Sequence, residues 1–118
     1  MIEEGPLDEL ASTFVVPSKS GVYLTKNEMI VLARISEGSL RISDRKRMLA
    51  DVLKSPDSPE ALARLVGLLV DFCRAHVERY DELSASYPSL APHIADPRAR
   101  AMRTIEQLEG LRSEILIA

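Results

Sequence analysis

The sequence has no tryptophan, two phenylalanines, three tyrosines and a single cysteine, Cys73. With so little aromatic bulk, a core has to be built from Leu, Ile, Val, Ala and Met. That mixture favours helix packing over sheets, where aromatic and β-branched residues dominate. One cysteine excludes an intrachain disulfide and a site made of several thiolates, and its scarcity suits a reducing compartment. Histidine is represented by His76 and His93 alone, so Cys and His together fall short of the roughly four ligands of a structural zinc site. No run approaches the roughly 20 apolar residues of a membrane span. The net charge of −3 supplies no global field toward nucleic acid or an anionic membrane. The first residues, Met1 to Pro6, are acidic and lack the basic stretch and apolar run of a secretory signal. The expected location is cytoplasmic.

What is present suits one self-sufficient domain over residues 1–118. Apolar residues make up 46% of the chain and charged residues 28%, ordinary for a globular protein. At this length a core can form without disulfides or metal. The pattern predicts an all-α fold, a bundle of about four helices, with a small β-hairpin near the N-terminus as an optional addition.

Residues 1–12 read as a short helix or a flexible arm. In the helical reading Pro6 sits in the first turn and Leu7, Leu10, Ala11 and Phe14 share one side. Phe14-Val15-Val16 and Val22-Tyr23-Leu24 flank the turn-rich Pro17 to Gly21. This stretch reads as the small hairpin or as an irregular loop covering the core. Thr25 and Glu28 have capping-box spacing, predicting a helix from about Lys26 to Ser36 with Gly38 as its stop. Because Met29, Ile30, Val31, Leu32, Ala33 and Ile35 surround its axis, this helix is expected to be buried on all sides. Ser43 can cap a third helix over about 44–54, carrying Met48, Leu49, Val52 and Leu53.

Ser58-Pro59-Glu60 combines an N-cap, a first-turn proline and an acid. It predicts a helix to about Ser86, striped by Leu62, Leu65, Val66, Leu69, Cys73, His76, Val77, Tyr80, Leu83 and Tyr87. Leu68, Val70 and Phe72 widen the stripe in the first half only, so that half should lie deeper. A rigid loop with Pro88 and Pro92 follows. Asp96-Pro97 then repeats the cap signal for a last helix over about 97–115, with Ala101, Ile105, Leu108 and Ile115 on one seam. The two long helices should pack antiparallel.

Few residues suggest chemistry. Cys73 and His76 share a helix face, but a nucleophilic cysteine also needs an oriented base and an oxyanion site, and a buried cysteine behaves as a small hydrophobe. His76 followed by Arg79 shares one feature with histidine phosphotransfer domains, but Tyr80 stands where that family has glycine. Residues 24–38 echo the opening of a DNA-binding helix-turn-helix, and 39–43 then depart from it. Glu78, Asp81 and Glu82 read as solvent-facing acids paired with arginines such as Arg74 and Arg79. Two basic clusters stand out: Arg41, Arg45, Lys46 and Arg47, and Arg98, Arg100 and Arg103. Basic residues near helix starts oppose the dipole, which hints at a partner.

With no catalytic constellation visible, the expectation is a non-enzymatic protein-interaction module (adaptor, regulator or helix-binding chaperone) without a cofactor. It would engage a protein partner through these basic residues and avoid membranes. A homodimer through the last helix or the second half of the long one fits the apolar pattern. The alternatives are a nucleic-acid-binding regulator using Arg41 to Arg47, and a phosphotransfer or enzymatic role at His76.

Overall fold

A computed structural model describes residues 4–35 and 44–117. Six α-helices follow one another there: α1 (Glu4–Phe14), α2 (Pro17–Ser20), α3 (Lys26–Ile35), α4 (Arg45–Lys54), α5 (Pro59–Ser86) and α6 (Ala91–Ile117), with a 3₁₀ turn at Pro88–Leu90 before α6. The fold is all-α. The anticipated starts of α3 and α5 hold; α4 begins one residue later than expected, with Asp44 as its cap in place of Ser43. Thr25 and Glu28 close a reciprocal capping box, each accepting the other's backbone N–H at 3.1 and 3.0 Å. Ser58 Oγ accepts the Ala61 N–H at 3.1 Å. Asp44 caps α4 by accepting the Arg47 N–H at 3.0 Å. The expected cap Ser43 and stop Gly38 lie outside the described residues.

α5 is the spine. Its 28 residues span roughly 42 Å at 1.5 Å per residue. Leu62, Leu65, Val66, Leu69, Val70, Cys73 and Val77 are buried along its first two-thirds, and no residue beyond Val77 is. The deeper first half is therefore as anticipated. α6 returns antiparallel: Arg98 meets Asp81, Glu109 meets Arg74, and the Arg112 guanidinium lies across Gly67. Ala101, Thr104, Ile105, Leu108 and Ile115 form its buried face. α1 packs on α4, α3 packs on α4, and α2 packs on α6. One apolar cluster unites side chains from α1, α3, α4, α5 and α6.

Three expectations need correction. Among the described residues there is no strand, so no hairpin forms between Phe14 and Leu24. α1 runs through Phe14, and Pro17 opens the single turn of α2. Gly21 ends that turn at φ +78° with its N–H bonded to the Pro17 carbonyl. Two strands of three residues offer too little ladder to stand alone. The turn is fastened to the helices instead. Tyr80 Oη donates to the Gly21 carbonyl at 2.6 Å, and Thr104 Oγ1 donates to the Ser20 carbonyl at 2.7 Å.

Second, α6 begins six residues earlier than its Asp96-Pro97 signal. The proline in its first turn is Pro92, and Pro97 sits inside the helix. Pro97 has no N–H for the His93 carbonyl, an interior cost of about 3 kcal/mol. The buried seam from Ala101 onward and the close approach of Gly21 to the Pro97 carbonyl hold the helix through that defect. Third, α3 is not enclosed on all sides. Met29, Leu32 and Ala33 are buried, but Val31 keeps 50% of its surface.

Candidate functional site

The described members of the predicted basic clusters differ in how they are engaged. Arg41 lies outside the described residues. Arg45 turns inward: its Nε donates to the Leu24 carbonyl at 3.1 Å and its guanidinium stacks 4.2 Å from the Tyr23 ring centre. Arg47 pairs with the capping Asp44 at 3.5 Å. Lys46 and Arg103 are exposed. Arg98 binds Asp81 at 2.6 Å, which raises the guanidinium's already high pKa through that hydrogen bond and the carboxylate's charge. Arg100 is half-buried with its Nε covered and without a hydrogen-bond partner. The acids of α5 are exposed as expected, but Asp81 pairs across to α6 rather than along its own helix.

Cys73 is fully buried, and desolvation pushes its thiol up to about 12. It stays protonated and serves as a core residue. His76 was expected at the centre of the apolar stripe, yet it is half-buried on the helix flank. Its Nδ1 lies 3.1 Å from the Phe72 carbonyl. A carbonyl only accepts, so Nδ1 carries the proton. The ring stacks on Phe72 with centroids 4.4 Å apart and planes within 7°. Phe72 in turn meets the buried Phe14 edge-on at 6.3 Å.

That aromatic row leads to a feature the sequence did not reveal. α3 packs on α4, and an open trough runs between the outer side of α3 and α5. One basin, of about 300 Å³, is almost wholly apolar and is lined by Leu24, Asn27, Glu28, Val31, Leu32 and Phe72. The adjoining basin, of about 580 Å³, is lined by Tyr23, Thr25, Glu28, Phe72, Ala75, His76 and Arg79. Glu28 and Phe72 belong to both, so the two basins form one groove with Phe72 between them. It is an open trough rather than a closed cavity.

The groove exists for a physical reason. The capping box fixes the start of α3, and the Arg45 bond to the Leu24 carbonyl ties the segment before α3 to α4. α3 therefore follows α4, and its Val31 side is left facing α5 across a gap. The signals were present in the sequence but ambiguous. Phe72 stood off the main stripe of α5, and α3 carried apolar residues on more sides than its neighbours cover.

Among the described residues the groove holds no paired carboxylates, and no group of three or more His, Cys, Asp or Glu could hold a metal. No described helix is long and apolar enough to cross a membrane. In comparisons with known proteins, the chain matches no family model, no curated protein and no solved structure.

Proposed function

We propose that the protein is a non-enzymatic interaction module that receives an apolar segment of a partner protein in the α3–α5 groove. The observation that carries this reading is the unfilled apolar trough floored by Phe72 and edged by the half-exposed Val31. An uncovered aliphatic edge over an aromatic floor is the geometry of helix-in-groove recognition. α3 is ten residues long, about 15 Å, enough to lie beside two to three turns of a guest helix. Cys73 is sealed in the core, away from the groove.

Val31→Glu tests the reading. The change is at an exposed position and should leave folding intact by circular dichroism. Partners that co-purify with the wild-type protein should be lost. An unchanged set of partners would contradict the proposal.

A second reading, self-association, is favoured by a separate observation. Beyond Val77 the α5–α6 hairpin carries exposed Leu83, Tyr87, Leu90 and Met102. This is leftover apolar surface on the stretch anticipated for a dimer.

A further inference from the structure

We infer that the segment taken by the groove is an amphipathic helix with aliphatic anchors and a carboxylate at one end, seated with its acid beside Arg79. The inference rests on the interaction reading above and adds the guest's chemistry and direction. The groove is chemically polarised along its length. At one end Leu24, Val31, Leu32 and Phe72 give an almost wholly apolar surface, edged by Asn27 and Glu28, which selects Leu, Ile, Val or Met side chains. At the other end Arg79 lines the wall beside His76 and Tyr23, with Arg45 stacked on the Tyr23 ring.

Among the described residues neither Arg79 nor Arg45 forms an ion pair with a carboxylate. Among the described residues Glu28 is the carboxylate that lines the groove, and its Oε1 accepts the Thr25 N–H at the start of α3, where a negative charge suits the helix dipole. Arg79 is thus left without a carboxylate of its own among the described residues. A guest cation placed there would meet the Arg79 guanidinium. A guest carboxylate would meet a fork donor suited to bidentate pairing. Pairing with Arg79 thus sets the orientation of the guest.

The test uses the full chain and two synthetic helical peptides. Both carry leucines at i, i+3, i+4 and i+7. One ends in two glutamates and the other in two lysines. Binding is followed by methyl NMR of Val31, Leu24 and Leu32 and by calorimetry. The acidic peptide is expected to bind roughly three- to fivefold tighter at low salt, the worth of one partly exposed ion pair. The preference should shrink as salt rises. Arg79→Glu, an exposed position, should reverse it while the same methyl groups still shift. Equal binding of both peptides, or a preference that Arg79→Glu leaves unmoved, overturns this inference and leaves the groove reading standing. No shift at these methyls with either peptide overturns both.

Discussion

Tyr80 Oη donates a 2.6 Å hydrogen bond to the carbonyl of Gly21, 59 residues earlier in the chain. The bond joins the last third of α5 to the turn that ends α2, and that turn leads through Val22 to Leu24 into α3. The groove's first wall is thereby referred to its second. Tyr80→Phe should cost about 1–2 kcal/mol by leaving a part-buried carbonyl without its donor, read from chemical denaturation. Gly21→Ala should cost more. Its φ of +78° disfavours a side chain, and an added Cβ would collide with the Pro97 carbonyl oxygen and the Ala101 amide. A Gly21→Ala protein as stable as wild type would remove this turn from the account.

Pro97 provides a test of opposite sign. It interrupts the hydrogen-bond ladder inside α6, so Pro97→Ala should raise stability, by about 1–3 kcal/mol once the change in unfolded-chain freedom is included. Were Pro97 the first residue of its helix, the same change would be neutral or destabilising. Thermal melts of the two proteins separate these outcomes.

Cys73 makes stability fall at alkaline pH. Its folded-state pKa of about 12 lies above its unfolded value near 9.0. Below about pH 9 both states hold the proton and there is no penalty. As pH rises above that, the unfolded thiol ionises while the folded one does not, and stability is lost progressively until about pH 12. A Cys73→Ala protein should show a shallower loss over this window. Native protein should also resist alkylation at Cys73 at a rate set by unfolding, and fast alkylation without unfolding would contradict the burial.

The exposed end of the α5–α6 hairpin predicts concentration-dependent self-association. Sedimentation should show a dimer that weakens when Tyr87, 58% exposed, is changed to Asp, with no loss of monomer stability beyond about 0.5 kcal/mol. A monomer at every concentration would remove this second reading.

Much of the fold was readable from local chemistry. Ser58-Pro59 and the Thr25–Glu28 box act within one turn, so their signals survive any tertiary context. The α5 stripe and the antiparallel α5–α6 pair followed from helical periodicity and a short connection. The misreadings have tertiary causes. Phe14 to Leu24 looked β-prone, but Tyr80 and Thr104 hold its turn from afar. Asp96-Pro97 looked like a start because the buried seam that carries α6 through Pro97 is not a local feature. The groove was least legible of all. Periodicity assigns every apolar residue to a core, and it cannot show that α3 packs on α4 and leaves Val31 facing open space. The basic residues stood out in the sequence for their charge, and Arg45, Arg47 and Arg98 are instead engaged within the chain itself.

The most direct test is a photo-crosslinking residue placed at Val31, on the groove's edge, and at Arg103, exposed on α6. Irradiated in extract from the source cells, the Val31 probe should yield a discrete heavier adduct that an excess of the acidic leucine-rich peptide suppresses, and the Arg103 probe should not. An adduct formed from Arg103 and not from Val31, or a Val31 adduct indifferent to the peptide, would contradict the assignment of the α3–α5 groove as the interaction surface.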